Sequence, residues 1–500
     1  MLTERLGGIR VPVPAKLLGL LAASGAEVRA GEADRAGAAR DWWPLSIGWA
    51  AQGKLAARPA AVVRPTDAGQ VSATLVACSD ARVPVTPMAG RSGVCGGAVP
   101  VFGGVALDCT GLVDGLRVDE TSLLADVPAG LFGPALESAL RTTGTGYTLG
   151  HWPQSMELST VGGWLACRSA GQYSTRYGKI EDMVVGLQVV LADGSIVETE
   201  GRAPRAATGP NLTQLFVGSE GVLGVITGAR LRIRPSPPAE GRRAFGFPHF
   251  ADGLDACRRI VRRGASPAVL RLYDRTESRR TFGQGGACVL VVLDEADPGL
   301  LAATLAVVDE ECRTAGRLDD GVVATWLSTR NDVSALGHLW QSGVVVDTAE
   351  IAGTWSVLGQ LADEVPAALA GIPGTLAATV HQSHCYPEGA CLYFTFAGSQ
   401  PHGGPVTAPD TPDDRATDDL GWSETYYRRA WDTLTGVVAS RGAAISHHHG
   451  IGLNRSRFLP VALGSAYPVL VALKRTLDPA GILNPGKLGL SSPFGEVPWA

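Results

Sequence analysis

The chain has 500 residues, 45% hydrophobic and 18% charged, which is long enough for two globular domains. A formal net charge of −5 without any run of Lys or Arg argues against a protein that binds nucleic acid through a basic surface. The nine cysteines form no Cys-x-x-Cys pair, and the N-terminus lacks the apolar core of a signal peptide, so we expect reduced thiols, no transmembrane segment and a cytoplasmic location.

The first half of the chain predicts alternating strands and helices. After a helical and then irregular N-terminal segment, strands are predicted over 60–63, 83–86 and 104–108, and a helix begins at an Asp67 cap and ends near residue 80. Further strands are predicted over 183–191 and 196–198, around a hairpin turn, and then over 222–226 and 229–233. Three prolines within 235–238 mark a domain boundary.

The second half predicts an α+β domain around an antiparallel sheet. Helices over 253–263 and 300–315 alternate with strands over 269–273, 287–293 and 390–397. Residues 400–422, rich in Pro, Asp and Gly, predict a mobile loop, and helices follow from a Ser423 cap and near 465–477. We therefore divide the chain into residues 1–55, 56–236, 237–445 and 446–500.

Three glycine-rich segments suit a large polar ligand. In PVTPMAGRSGVCGGAVP (84–100), small residues let backbone N–H groups converge as in a phosphate-binding nest, although a tight turn between strands explains the same pattern. Glycines and hydroxyl residues recur through 150–187, and FVGSEGVLGVITGARLRIRP (216–235) supplies another glycine turn. Such segments offer main-chain N–H groups and hydroxyls as donors to a flat polar ligand.

Six stretches together resemble the vanillyl-alcohol-oxidase flavoproteins, and most specifically their alkyldihydroxyacetonephosphate synthase branch. They are PMAGRSG, STVGGW, YGKIEDMVVGL, GSEGVLGVIT, GACLYFTFAG and SHHHGIG. The resemblance implies an α+β fold with a two-subdomain FAD-binding domain of the PCMH (p-cresol methylhydroxylase) type and an α+β cap domain with an antiparallel sheet. It also implies non-covalent FAD, a small-molecule substrate and a homodimer.

The same resemblance assigns three sets of residues to FAD. The pyrophosphate is expected on Pro87, Met88, Ala89, Gly90, Arg91, Ser92 and Gly93. The isoalloxazine and ribityl side is expected on Gln154, Ser155, Ser159, Thr160, Cys167 and Ser169. The adenine end is expected under Glu220, Gly221, Gly224, Val225 and Ile226.

Catalytic roles are implied in the same way. Tyr393 falls at the position of the synthase's general acid/base, Arg271 on an arginine near the active site, and His151 on a histidine beside the flavin. Without the resemblance, a strand tyrosine such as Tyr393 more often serves as half-buried packing, and Arg271 would be a solvated arginine at a strand edge.

The run His447–His449, in AISHHHGIGLN, admits three interpretations. A metal site is disfavoured, because neighbouring side chains of an extended segment alternate faces and at most two of the three histidines could reach one ion. The pattern His-x-Gly-Asp-Gly-Asn-Leu-His of related dehydrogenases also lacks its second histidine after His384, and we predict no metal. A polar surface loop is the second interpretation. The resemblance favours a third, in which His447, His448 and His449 stabilise a developing enolate.

The resemblance implies a redox-neutral, flavin-adduct exchange on a ketone, in which a fatty acid leaves and a fatty alcohol enters. One feature departs from the synthases, because the arginine that grips the substrate phosphate is missing before GVVVDT (343–348) and the nearest arginine is Arg330. A repurposed substrate therefore stays open. The alternative function is a FAD-dependent oxidase or dehydrogenase of a small 2-hydroxy acid or alcohol, which the tail DPAGILNPGKL (478–488) favours.

Overall fold

A computed structural model describes residues 3–7, 10–199, 203–332, 335–401 and 421–499. The chain divides into two compact units. Unit 1 comprises Met1–Gly171, Gly178–Ser236 and His448–Ala500, and unit 2 comprises Gln172–Tyr177 and Pro237–His447.

The described residues form twenty strands and eighteen α-helices. The strands are β1 (Thr3–Glu4), β2 (Glu27–Arg29), β3 (Lys54–Leu55), β4 (Ala61–Arg64), β5 (Val85–Met88), β6 (Val105–Asp108), β7 (Arg117–Asp119), β8 (Leu124–Pro128), β9 (Tyr147–Thr148), β10 (Val184–Val190), β11 (Ile196–Glu198), β12 (Val225–Arg232), β13 (Arg234–Pro235), β14 (Ala239–Phe247), β15 (Val269–Tyr273), β16 (Cys288–Ala296), β17 (Gly316–Leu318), β18 (Val345–Thr354), β19 (Thr375–Cys385) and β20 (Gly389–Gly398). The helices are α1 (Ala15–Ala23), α2 (Glu32–Gly37), α3 (Pro44–Ala51), α4 (Ala68–Asp80), α5 (Gly133–Thr142), α6 (Val161–Cys167), α7 (Ser174–Tyr177), α8 (Ile180–Met183), α9 (Thr213–Phe216), α10 (Phe250–Arg262), α11 (Arg275–Phe282), α12 (Pro298–Glu311), α13 (Gly321–Thr329), α14 (Ala335–Gln341), α15 (Trp355–Ala370), α16 (Trp422–Ser440), α17 (Leu459–Leu463) and α18 (Tyr467–Leu477).

Unit 1 is built on two main sheets. The first has the order β2-β4-β6-β5, with β4, β6 and β5 parallel, and the second has the antiparallel order β11-β10-β12-β8-β7. Helix α4 connects β4 to β5 and buries Val71 and Leu75, as its apolar spacing predicts, and the Asp67 side chain accepts from the Gln70 N–H at its start. This parallel crossover places the glycine-rich loop directly after β5.

One pair of predicted strands in unit 1 is wrong. The structure has the single strand β12 where two strands were predicted over 222–226 and 229–233. Gln188 of β10 pairs with Gly228 and Val189 pairs with Ile226, so Thr227 is an extra residue in a β-bulge. The bulge falls in the gap, residues 227–228, between the two predicted strands, and residues 222–224 lie in the preceding turn.

Unit 2 is centred on a seven-stranded sheet of order β17-β14-β16-β15-β19-β20-β18, antiparallel at every pairing. This confirms the predicted antiparallel sheet, and β15 has the predicted bounds. Helix α16 begins at Trp422, one residue before the predicted Ser423 cap, and Trp422 stacks on Tyr426 at 5.0 Å in its first turn. Most of the loop predicted over 400–422 lies outside the described residues.

One stretch, Ser456–Leu477, is apolar and long enough by composition to count as a candidate membrane span. It contains α17 and α18 with two 3₁₀ turns, and Gly464 between them has φ +51 and ψ −123. The longer of its two α-helices has 11 residues, against the roughly 20 that a span requires. No single α-helix within this stretch therefore has the length of a span.

Candidate cofactor and active site

The loop after β5 presents a row of backbone donors. Among the described residues, none of the backbone N–H groups of residues 89–94 donates a hydrogen bond to another backbone or side-chain group. All six of these residues are half-exposed, and Arg91 has a φ of +54. Successive unpartnered N–H groups at the surface of a tight loop form an anion-binding nest, which fits the pyrophosphate predicted for Pro87–Gly93. A cavity of about 200 Å³ beside the loop is lined in part by Met88, Arg91 and Asp108.

The segment 154–160 packs directly on this loop. A Cβ added at Gly90 would lie 2.0 Å from the Leu158 carbonyl oxygen, so only glycine allows the approach. Trp164 Nε1 donates to Ser159 Oγ at 2.6 Å, and Thr160 Oγ1 accepts from the Gly163 N–H at the start of α6. Ser159 and Thr160 are buried and shape the segment from within, whereas Gln154 is exposed and Ser155 half-exposed.

His151 is fully buried. Its Nε2 is 2.9 Å from Ser169 Oγ, and its ring packs on Trp164 at 4.8 Å. Burial, with Lys179 nearby, lowers the pKa of His151 to about 3, so the imidazole is neutral. The side chain has no exposed surface, and its Nδ1 has no hydrogen-bond partner among the described residues.

Glu220 anchors the glycines that follow the histidine run. Its carboxylate accepts from the N–H groups of Ile451 at 2.6 Å and Gly452 at 2.8 Å. Burial raises the pKa of Glu220, and these two N–H groups oppose the rise. The other residues predicted for the adenine end (Gly221, Gly224, Val225 and Ile226) are buried, and a Cβ at Gly224 would meet Val189 Cγ1 at 2.6 Å.

The same part of unit 1 holds two buried charges that the sequence analysis missed. Lys487 has no exposed surface, its Nζ donates to the Val99 carbonyl at 2.8 Å, and burial lowers its pKa to about 7. Burial raises the pKa of Asp41, whose carboxylate accepts from the N–H groups of Trp43 and Ala98, to about 6. Asp41 lies outside the motifs recognised in the sequence, and Lys487 lies in the tail DPAGILNPGKL, whose pattern gave no sign that this lysine is buried.

The cysteines near the loop are buried or half-buried thiols. Cys95 is 3% exposed and its Sγ donates to the Gly450 carbonyl. Burial raises the pKa of Cys167, which keeps this thiol protonated. None of the nine cysteines, all of which are described, forms a disulfide.

Unit 2 brings Tyr393 and Arg271 together, as the resemblance implied, and adds His381 and Glu277. The His381 ring stacks on Tyr393 at 4.8 Å with planes 10° apart, and the Arg271 guanidinium lies 6.0 Å from the Tyr393 ring centre. Arg271 Nη2 lies 2.8 Å from His381 Nε2, and His381 Nδ1 lies 2.8 Å from Glu277 Oε2. These four residues are called the tyrosine cluster below.

The hydrogen bonds of the tyrosine cluster determine the protonation of His381. Arginine only donates, so His381 Nε2 accepts, the proton sits on Nδ1, and the ring is neutral. Burial lowers the pKa of His381 in agreement with this assignment. Burial opposes the charge of Glu277, whereas its hydrogen bonds with His381 Nδ1 and the Thr379 hydroxyl stabilise the carboxylate and lower its pKa.

A second polar group in unit 2 contains the first histidine of the run. His447 Nε2 lies 3.1 Å from the Tyr386 hydroxyl, which lies 3.0 Å from Ser174 Oγ, and Ser174 Oγ lies 2.7 Å from His384 Nδ1. The buried carboxylate of Glu350 accepts from the N–H of His447 and from Ser446 Oγ. Sequence reasoning noted His384 but missed Glu350, which lies in β18 two residues after GVVVDT.

The boundary between the two units falls within the histidine run. The division between the units falls after His447, and His448 and His449 belong to unit 1, where their rings contact each other at 4.6 Å. Of the predicted catalytic residues, the structure thus joins Tyr393 with Arg271, places His447 in the second polar group of unit 2, and buries His151.

Two family models match the chain. A FAD binding domain matches residues 59–200, and the C-terminal domain of FAD linked oxidases matches residues 237–488. An uncharacterized FAD-linked oxidoreductase of Escherichia coli O157:H7, YgcU, is 31% identical, over 86% of this chain and 89% of its own. The alkyldihydroxyacetonephosphate synthase of Dictyostelium discoideum is 29% identical (87% and 74%), as is the glycolate oxidase subunit GlcD of Bacillus subtilis strain 168 (86% and 89%).

Solved structures show the same fold. An alkyldihydroxyacetonephosphate synthase superposes with a TM-score of 0.76 at 24% identity, over 97% of this chain and 88% of its own. A p-cresol methylhydroxylase with bound substrate superposes with a TM-score of 0.74 at 17% identity, over 97% and 99%. These likenesses confirm the predicted PCMH-type α+β fold, and the family models confirm FAD as the cofactor.

Proposed function

The chain belongs to the family of FAD-linked oxidases, and on this premise we propose that it catalyses a redox-neutral exchange beside a ketone, of the alkyldihydroxyacetonephosphate synthase kind. The observation that carries the proposal is the tyrosine cluster, in which Tyr393 stacks on a neutral His381 held between Arg271 and Glu277. Both nitrogens of His381 are occupied by these partners, so Tyr393 is the member of the cluster suited to move a proton.

The residues of unit 1 fit FAD. The unpartnered N–H groups of residues 89–94 would hold the pyrophosphate, and Gly90 allows this loop to pack against the Leu158 carbonyl. Exposed Gln154 and half-exposed Ser155, Ser92 and Gly93 remain available for further contacts. When bound, FAD supplies an electrophilic centre that accepts an electron pair reversibly.

The residues of unit 2 would manage the proton. Tyr393, acting as the phenolate, takes the proton from the carbon beside the ketone onto Oη and becomes the phenol, and the Arg271 cation stabilises the negative charge that develops on the substrate. Glu277 is a positioning residue, since its carboxylate fixes the His381 tautomer that accepts from Arg271. His447, oriented through its backbone by Glu350, would stabilise charge on the substrate oxygen.

The test compares Tyr393→Phe with wild type on an acyl-dihydroxyacetone phosphate and a fatty alcohol, with release of the fatty acid as the readout. General acid–base catalysis predicts a loss of about 100-fold to 10,000-fold, with the flavin spectrum unchanged. The matched control is Tyr426→Phe, which removes another buried, hydrogen-bonded hydroxyl of unit 2 outside the cluster. Full activity in Tyr393→Phe would contradict the assignment.

A second function is favoured by the likeness to the glycolate oxidase subunit GlcD. In that case the chain oxidises a small 2-hydroxy acid or alcohol, and Tyr393 or His447 would accept the hydroxyl proton. Anaerobic addition of substrate distinguishes the two functions. An oxidase or dehydrogenase leaves the flavin bleached until an acceptor is added, whereas the exchange reaction causes no lasting reduction.

A further inference from the structure

We propose that Arg330 binds an anionic group of the substrate, an oxyanion that presents two oxygens, such as a phosphate or a carboxylate. The proposal rests on the proposed function, because it names the class of substrate for the same enzyme. Arg330 is the C-cap residue of α13, and its backbone N–H donates to the Trp326 carbonyl at 2.8 Å. Its guanidinium is the feature that carries the inference.

The guanidinium of Arg330 is held on three sides. It lies 5.2 Å from the ring centre of Tyr173 and 5.5 Å from that of Trp326. Its Nη1 donates to Gln172 Oε1 at 2.9 Å, and Gln172 Nε2 donates back to the Arg330 carbonyl. Burial raises the pKa of Tyr173 to about 12, so this ring stays uncharged beside the cation. Such contacts fix the plane of the cation before any ligand arrives.

The opposite edge of the guanidinium carries Nε and Nη2. Among the described residues, neither Nε nor Nη2 of Arg330 donates a hydrogen bond, and Arg330 forms no ion pair. This edge is the one with which arginine binds carboxylates and phosphates through two parallel hydrogen bonds. Glu240 and Glu295 lie near Tyr173, but Arg242 pairs with Glu240 and Tyr177 donates to Glu295.

Arg317 of the same unit provides a comparison, because its guanidinium is paired with protein groups. It also stacks on an aromatic ring, Phe245, at 5.2 Å. Its Nη2, however, is bound to Asp320 at 2.7 Å, and its Nη1 donates to backbone carbonyls. Arg330 shares the aromatic contact and lacks the carboxylate, so stacking alone does not account for the open edge.

Contacts within unit 2 connect Arg330 to the tyrosine cluster. Burial raises the pKa of the Tyr273 hydroxyl, and two residues close to it partly oppose the rise: Arg271, and the Trp326 that stacks on Arg330. Tyr273 in turn contacts the His381 ring at 5.3 Å. An anion held by Arg330 therefore lies a few side chains from Tyr393. Arg330 is also the nearest arginine in sequence to the position where the synthases carry their phosphate-binding arginine.

The experiment measures binding to the FAD-loaded enzyme by isothermal titration calorimetry. The probes are dihydroxyacetone phosphate, D-lactate and neutral dihydroxyacetone, which separate a phosphate from a carboxylate and both from an uncharged ligand. We expect Arg330→Ala to weaken binding of the preferred anion by about tenfold to a hundredfold, as for the loss of hydrogen bonds to a charged group. Dihydroxyacetone should bind the variant and wild type alike.

Two further variants make the result decisive. Arg330→Gln keeps a planar polar head between Tyr173 and Trp326, so it provides the answer if Arg330→Ala fails to fold. Arg317→Ala removes a stacked arginine of the same unit and should bind the probes as wild type does. The proposal is overturned if wild type binds neither anion, if Arg330→Gln binds the anion as tightly as wild type, or if Arg317→Ala weakens binding equally.

These outcomes are separable from failure of the proposed function. If Tyr393→Phe keeps full activity while Arg330→Gln loses anion binding, the catalytic assignment fails and the anion site stands. If Tyr393→Phe is inactive while Arg330→Gln binds the anion normally, the catalytic assignment stands and the anion site fails.

Discussion

Replacing Gly90 by alanine should abolish tight FAD binding. The added Cβ would lie 2.0 Å from the Leu158 oxygen and 3.3 Å from Phe132 Cε1. Non-bonded atoms at their optimum are separated by about 3.5 Å, so the loop must retreat by about 1.5 Å from segment 154–160. Because the obstacle is backbone, a change of side-chain rotamer cannot relieve the contact.

The expected loss follows from the N–H groups that this retreat would misplace. A hydrogen bond to a charged group contributes about 1.5–3 kcal/mol, so the loss of two of the donors of residues 89–94 costs about 3–6 kcal/mol. At 1.4 kcal/mol per factor of ten, FAD affinity falls by about a hundredfold to ten-thousandfold. The assay is fluorescence titration of the FAD-free protein with FAD.

The control for this prediction is Gly97→Ala, whose Cβ would meet Glu220 at an ordinary 3.5 Å and whose φ is not positive. It should bind FAD within about threefold of wild type, a difference of about 0.7 kcal/mol. Retention of wild-type affinity by Gly90→Ala would refute the assignment of this loop as the pyrophosphate cradle.

Three other predictions concern buried charges. Glu277→Gln removes the acceptor that fixes the His381 tautomer, so turnover should fall at least about tenfold while the flavin spectrum is kept, and stability should fall by about 1–3 kcal/mol in urea unfolding; unchanged turnover would contradict a positioning role. Glu220→Gln places an amide donor against one of two N–H groups and should cost about 1–3 kcal/mol of unfolding free energy without altering the sheet content seen by circular dichroism. Burial lowers the pKa of Lys487 in the folded protein to about 7, below its value in the unfolded chain. Between these two pKa values the unfolded chain binds more protons, so the stability of the fold should rise with pH above 7. Relative to Lys487→Met, the wild type should gain up to about 1.4 kcal/mol of unfolding free energy per pH unit, and parallel pH profiles for the two proteins would contradict this.

Local patterns in the chain were sufficient for many individual elements. The Asp67 cap and the apolar spacing of Val71 and Leu75 predicted α4, and the bounds of β15 were predicted without error. These elements depend on neighbours in sequence, so their signals are local. The bulge at Thr227 in β12 was missed, because the register between β10 and β12 decides it, and register is a property of two distant strands.

The sequence by itself determined the FAD-linked family and the glycine-rich loop 84–100, because their motifs lie within short continuous segments. It offered Tyr393 and Arg271 only as separate candidates for the active site. Only the tertiary structure decided which groups surround them. Glu277 reaches His381 across 104 residues and Gln172 reaches Arg330 across 158, and no periodicity spans such separations. The tertiary structure likewise buried His151 and assigned His447 to one unit and His448 to the other. Burial and contacts of this kind are set by packing between segments that are distant in the chain.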